Sequence, residues 1–72
     1  MIKCHLSKLM GERKLKVIDV ARETGIHRGT ITRLYQETAA RVELDVVDSL
    51  CDFFDCDVGD LFEHRKTDKS SD

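Results

Sequence analysis

The sequence predicts a small all-α protein, and three of its features support this. The 72 residues include no proline and no tryptophan, and only 6% of them are aromatic, which is unlike a sheet protein. Apolar residues recur at helical spacing, as in Leu44, Val47 and Cys51. A chain of this length with 40% apolar residues buries one small core. We therefore predict a single domain over residues 1–63, followed by a polar tail over residues 64–72.

Two helices are predicted ahead of Gly25. The first, expected over about residues 4–13, carries apolar residues at helical spacing: Leu6, Leu9 and Met10. Met1 to Cys4 has two interpretations, a short strand or a disordered lead. The second helix is expected to end at Gly25, and its buried stripe follows the i, i+3, i+4, i+7 pattern: Val17, Val20, Ala21 and Thr24.

A tight turn and a third helix are predicted next. Glycine at position 25 allows the positive φ that ends a helix, and Ile26 is expected to fill the corner between two helices. His27 is the expected N-cap of the third helix, which covers about residues 28–36. The inner face of this helix is expected to contain three residues: Ile31, Leu34 and Tyr35.

Two further helices are predicted after an irregular loop over residues 36–43. The inner stripe of the fourth helix contains five apolar residues: Leu44, Val47, Leu50, Cys51 and Phe54. Val46 and Phe53 widen this apolar face. Asp57 is the expected N-cap of a last helix from Val58 to Glu63, with the Asp60 carboxylate completing an arrangement like a capping box.

Charge is unevenly distributed along the chain. Residues 1–43 contain nine Lys and Arg against five Asp and Glu, a local excess of +4, whereas residues 44–72 contain three against nine, an excess of −6. The basic first half favours a polyanionic partner, and the acidic second half is expected to point away from it. A solvated surface of mixed charge is the alternative interpretation of this distribution.

The three cysteines, Cys4, Cys51 and Cys56, are an odd number in a sequence without a secretory signal, so we expect free thiols in the reducing cytoplasm. No segment is apolar for long enough to predict a membrane span. These thiols and His5 could supply four zinc ligands, but their spacing matches no common zinc pattern. No nucleophile is paired with an oriented base. We therefore expect no metal site, no cofactor and no enzymatic activity.

The segment VARETGIHRGTITRLY meets the requirements of a helix-turn-helix. A small residue, Ala21, stands where the third helix crosses the second, Gly25 allows the turn, and Ile26 and Ile31 fill the wedge between the helices. Together with LDVVDSLCDFFD and CDVGDLFE, this segment resembles the Cro and phage-repressor type of helix-turn-helix regulators, often called the XRE family. The resemblance covers roughly residues 5–63, and the ending CDVGDLF resembles a very small subgroup that is nearly domain-only.

The resemblance implies a five-helix bundle of the lambda-repressor-like DNA-binding type, with the third helix in the major groove of double-stranded DNA. The outward-facing residues of that helix would then read base edges: Arg28, Gly29, Thr32 and Arg33. A guanidinium can bond both acceptors of guanine, and the methyl group of Thr32 suits thymine. Flanking residues would contact phosphates: Lys16, His27, Thr30, Thr38 and Arg41. No small-molecule ligand is expected.

Two positions depart from the family pattern. The second-helix residue that is usually glutamine is Val17, which cannot bond a phosphate, and the usual serine or threonine cap of the third helix is His27. The leading hypothesis is a sequence-specific transcription regulator that acts as a repressor. The alternatives are an antitoxin-type regulator and a protein-interaction module of the same fold that has lost DNA binding.

A homodimer is expected from surplus apolar surface. Val46, Phe53 and Phe62 exceed what a five-helix bundle of this size needs to cover its core. A two-fold dimer through these residues would place two recognition helices about 34 Å apart on a palindromic operator. An edge strand over Met1 to Cys4 is the alternative contribution to such an interface.

Overall fold

The computed structural model describes residues 1–66. Five helices lie between two short strands, in this order: β1 (Ile2–Cys4), α1 (Leu6–Glu12), α2 (Val17–Thr24), α3 (Arg28–Tyr35), α4 (Leu44–Phe54), α5 (Val58–Leu61) and β2 (Phe62–His64). The expected five-helix fold is confirmed, and of the two interpretations of the N-terminal residues the short strand is correct. Most of the expected polar tail, residues 67–72, lies outside the described residues.

The two strands form an antiparallel pair that joins the ends of the described chain. Ile2 lies opposite His64, and Cys4 lies opposite Phe62. The expected start of the first helix at Cys4 is therefore wrong by two residues, because the Cys4 backbone belongs to β1 and α1 begins at Leu6. The division expected between residues 63 and 64 falls inside β2.

The expected end of the last helix at Glu63 is also wrong, since α5 ends at Leu61. Phe62 adopts an extended backbone with φ −125° and ψ 145°. The carbonyl of Leu61 accepts a hydrogen bond from the His5 N–H at 2.7 Å. β1 therefore offers this segment long-range backbone partners, which a continued helix could not use.

Side-chain contacts reinforce the sheet. The carboxylate of Glu63 accepts hydrogen bonds from Arg65 Nε at 3.0 Å and from His5 Nε2 at 2.8 Å. These two bonds lower the pKa of Glu63 to about 2. On the free edge of β1, the Cys4 N–H donates to Glu37 Oε1 at 3.0 Å, and this bond lowers the pKa of Glu37. The loop after α3 is thereby tied to the sheet.

The core consists of buried apolar side chains from every element except β2: Cys4, Leu6, Met10, Val20, Ile31, Leu34, Val47, Leu50, Phe54 and Leu61. Two residues expected on inner faces are exposed instead. Leu44 is 84% exposed and Tyr35 is 44% exposed. Leu44 is the first residue of α4 and Tyr35 is the last residue of α3, so each stands on the correct side of its helix but beyond the end of the core.

The C-terminal end of α4 is held by an arginine from the loop after α1. The Arg13 guanidinium donates to the carbonyls of Phe53 at 3.1 Å and Phe54 at 2.7 Å, and lies 5.1 Å from the centroid of the Phe54 ring. Carbonyls in the last turn of a helix have no partner within the helix, and the helix dipole favours a cation there. Arg13 therefore has a structural role.

The turn between α2 and α3 has the conformation expected from the sequence. Gly25 adopts φ 77°, and its N–H donates to the Ala21 carbonyl at 2.9 Å. Thr24 Oγ1 donates to the Val20 carbonyl at 2.7 Å and accepts from the Ile26 N–H at 3.2 Å. Ala21 and Ile26 are half-buried against the core. The direction in which α3 leaves α2 is therefore fixed by both backbone and side-chain contacts.

We expect Gly25→Ala to lower the free energy of unfolding by about 1–2 kcal/mol, because an L-residue is strained at this positive φ. Chemical denaturation measures the change. Gly11→Ala is the matched control, since Gly11 lies inside α1 and a Cβ there would meet nothing within 4 Å. Alanine at that position should stabilise the protein by up to about 1 kcal/mol. Equal effects of the two substitutions would contradict the left-handed turn.

Candidate nucleic-acid interface

The outer face of α3 and the start of α2 together form an open concavity of about 640 Å³. Seven residues line it: Lys16, Val17, Ile18, His27, Arg28, Gly29 and Thr32. The helix-turn-helix places the N-terminal ends of its two helices side by side, which brings these residues together. Most of the residues expected to contact DNA are therefore on one continuous surface.

The other predicted cation of the recognition helix lies on the opposite flank of α3. Arg33, Thr30 and Arg41 line a second cavity of about 310 Å³ between α3 and the start of α4, together with Glu43 and Val46. Arg33 also reaches back towards the first concavity. A Cβ built on Gly29 would lie 3.5 Å from Arg33 Nη1. The two arginines expected to read bases therefore lie on either side of Gly29.

His27 is the N-cap of α3, as expected from the sequence. Its Nδ1 accepts a hydrogen bond from the Gly29 N–H at 3.0 Å. A neutral imidazole that accepts at Nδ1 carries its proton on Nε2, so Nε2 is a donor on this exposed side chain. A Cβ on Gly29 would lie 3.1 Å from Nδ1. The absence of a side chain at Gly29 therefore accommodates the capping ring.

The arginines fall into two groups by their intramolecular contacts. Three of them have partners: Arg13 on the carbonyls of α4, Arg22 on Asp19 at 3.2 Å, and Arg65 on Glu63 at 3.0 Å. Within residues 1–66, no salt bridge or side-chain hydrogen bond engages the guanidinium groups of the other three: Arg28, Arg33 and Arg41. In this part of the chain, the arginines with no such partner are those that line the two cavities.

Thr38, a predicted phosphate contact, lines neither of these two cavities. It lies in the loop after α3, where its N–H donates to the Arg33 carbonyl at 2.9 Å and its Oγ1 donates to the same carbonyl at 3.4 Å. These bonds close the C-terminal end of α3. The structure gives Thr38 a local role, and its contact with DNA stays a prediction.

The three residues expected at a dimer interface are half-buried and lie in different places. Val46 lines the cavity beside Arg33, whereas the Phe53 ring packs edge-on against Phe54 with centroids 4.9 Å apart. Phe62 lies in β2 and lines an apolar cavity of about 350 Å³. The dimer interface stays a prediction, because the structure does not bring these side chains into one surface.

Sequence reasoning missed two sets of exposed apolar residues. Ile2, Leu44 and Val58 are exposed and surround the cavity that Phe62 lines. They were missed because the cavity forms only when β1, the start of α4 and α5 meet. Ile18 is exposed in the concavity beside Arg28. Its position off the buried stripe of α2 was the available signal.

Two of the three thiols have a raised pKa. Burial raises the pKa of the Cys4 thiol and of the Cys56 thiol, which keeps both protonated at neutral pH. Among residues 1–66, no three His, Cys, Asp or Glu side chains are grouped so that they could hold a metal ion. Over the same residues, no helix combines the length and the apolar character that a membrane span requires.

Comparison with known protein families and solved structures identifies the same helix-turn-helix fold. The profile of the Cro/C1-type HTH DNA-binding domain matches residues 5–67, which is most of the chain. The chain belongs to this family. The crystal structure of a "putative DNA-binding protein from Bacteroides fragilis" has the same fold, with a TM-score of 0.74 over 88% of this chain and 100% of that one, at 17% identity. No curated protein sequence matched.

We expect His27→Ala to lower the free energy of unfolding by about 1 kcal/mol, because it removes the acceptor for the Gly29 N–H. His27→Ser retains an acceptor at the N-cap and should leave stability unchanged or raised. Thermal unfolding of the two variants measures the difference. Equal stability of the alanine and serine variants would contradict the capping role of the imidazole.

Proposed function

We propose that the protein is a sequence-specific DNA-binding transcription regulator of the cytoplasm, a repressor that occupies a palindromic operator as a homodimer. The observation that carries the proposal is the position of the arginines. Of those without a partner within residues 1–66, Arg28 and Arg33 project from the second helix of a helix-turn-helix and Arg41 lies in the loop that follows it. In this motif the outer surface of the second helix enters the major groove.

Arg28 and Arg33 are the proposed base readers. Each guanidinium can donate two parallel hydrogen bonds to O6 and N7 of guanine, which contributes about 1–3 kcal/mol of discrimination. Both side chains are exposed, so neither has to leave an internal partner in order to bind. Thr32 lines the same concavity as Arg28 and can offer its hydroxyl or its methyl group.

Phosphate contacts are proposed for the residues around this centre. Lys16 is the N-cap of α2 and lines the concavity next to Val17, so its ammonium group can supply the contact that valine cannot. His27 can donate from Nε2 while Nδ1 remains bonded to Gly29. Thr30 and Arg41 flank Arg33 in the second cavity. These contacts position the protein without reading sequence.

The acidic residues favour one orientation on DNA. No Asp or Glu is among the described residues that line the larger concavity. α4, α5 and the turn between them carry six aspartates: Asp45, Asp48, Asp52, Asp55, Asp57 and Asp60. Asp45 lines a cavity with His27 and Thr30, whereas the other five line none of the cavities described beside α3. Phosphate would be repelled by these five, so the field of the molecule favours the approach of α3.

Selection of bound fragments from a random duplex library, followed by anisotropy titrations at several salt concentrations, tests the proposal. Arg28→Ala and Arg33→Ala should each relax the sequence preference by about 1–3 kcal/mol at one position. Lys16→Ala should weaken all sequences alike and reduce the salt slope by about 0.9, the value for one lost phosphate contact.

Arg22→Ala is the matched control, because Arg22 is exposed on α2 but is paired with Asp19. It removes the same charge and should change neither the preference nor the affinity by more than a small amount. A flat response to salt, or no retained fragment at low salt, would overturn the proposal. Equal behaviour of all four variants would place the recognition surface elsewhere.

For the proposed dimer, the best-placed of the expected interface residues is Phe62. It borders the apolar cavity that the exposed side chains of Ile2, Leu44 and Val58 surround, and Leu44 is the most exposed of these. Burying such side chains against a second copy would stabilise a two-fold contact, since each contributes in proportion to the apolar area removed from water.

We expect Leu44→Glu to be folded and monomeric in sedimentation equilibrium, because Leu44 packs on nothing in the core but would be central to this interface. Ile18→Glu is the control, an identical exchange at another exposed position, and should remain dimeric. If the dimer persisted in Leu44→Glu and dissociated in Val46→Glu, the interface would lie at the cavity beside Arg33 instead. A wild-type monomer at micromolar concentration would contradict both.

A further inference from the structure

The start of α2 contributes apolar side chains to the concavity that it forms with the outer face of α3. Val17 and Ile18 are the first two residues of the helix, and both line the concavity with Arg28 and Thr32. Val17 is half-buried against the core, whereas Ile18 is 51% exposed. Packing against the core therefore explains in part why residue 17 is apolar. It does not explain why residue 18 is apolar.

Neither side chain can bond a phosphate or a base edge, because neither has a donor or an acceptor. Their surroundings are nevertheless cationic, since Lys16 and Arg28 line the same concavity. An apolar protein partner would have to remove both charges from water without pairing them, which is costly. The surface instead fits a polyanion that exposes an apolar group where α2 and α3 would contact it.

DNA has one such group on base edges in the major groove, the methyl at C5 of thymine. A methylated cytosine carries the same group at the same ring position. We propose that Val17 and Ile18, with the methyl group of Thr32, form a receptor for the C5-methyl group of a pyrimidine. This rests on the proposed function and adds that each half-site contains a C5-methylated pyrimidine beside the base read by Arg28.

The test uses the operator half-site obtained by selection, in which each thymine is replaced in turn by uracil. This exchange removes the methyl group and retains the base pair. Replacement at one position should weaken binding by a factor of about four for each half-site that carries it, as expected for one buried methyl group. In Ile18→Ser, thymine and uracil at that position should bind equally, and Ile18→Val should restore the difference.

A second arm compares cytosine with 5-methylcytosine at the same position. A gain of about fourfold on methylation would identify the methyl group itself as the ligand, and a gain confined to thymine would identify thymine. Both results support the receptor. Circular dichroism of Ile18→Ser checks that the exposed substitution leaves the fold intact.

Three results would overturn the receptor while leaving the proposed function standing. In the first, replacement of thymine by uracil weakens binding at no position. In the second, the difference in affinity between thymine and uracil is unchanged in Ile18→Ser, and in the third it is lost only in Thr32→Ser. In the last two, the apolar start of α2 does not contact the methyl group. If no DNA fragment is retained at all, the proposed function fails and the receptor with it, so the two failures are distinguishable.

Discussion

The left-handed turn at Gly25 is the constraint on which the concavity between α2 and α3 depends. The positive φ of this residue and the two bonds of Thr24 Oγ1 set the angle at which α3 leaves α2. That angle places the N-terminal ends of the two helices side by side. Without it, Lys16 and Ile18 on one helix would not share a concavity with Arg28 on the next.

Intramolecular pairing explains why a protein with net charge −2 can have a cationic face. Arg22 and Arg65 are paired with carboxylates, which offset their charge, and Arg13 is held on the carbonyls of α4, so none of the three projects freely towards a partner. The remaining arginines project from α3 and the loop that follows it. A count of charges along the sequence cannot separate these groups, because a cation's partner is set by the tertiary fold.

The sequence predicts most of the fold, and its failures share a physical cause. Periodicity shows which residues of a helix share a face, and capping residues such as His27 show where a helix begins. Neither shows where the core ends, so Leu44 and Tyr35 were expected inside although they stand beyond it. α5 ends where the chain begins to pair with β1, a strand from the other end of the sequence. A pattern of neighbouring residues cannot predict hydrogen bonds over that separation. The exposed position of Ile18 beside Arg28 likewise required the assembled helix pair.

The pairing of β1 with β2 has a consequence for the order of events on the ribosome. β1 is synthesised before any helix, but its partner, Phe62–His64, emerges only after all five helices. Until then the backbone groups of β1 have no strand to bond, and Ile2 and Cys4 stand at an open edge that another chain could use. The sheet therefore cannot close before Phe62–His64 has been made, which places this pairing after the synthesis of every helix.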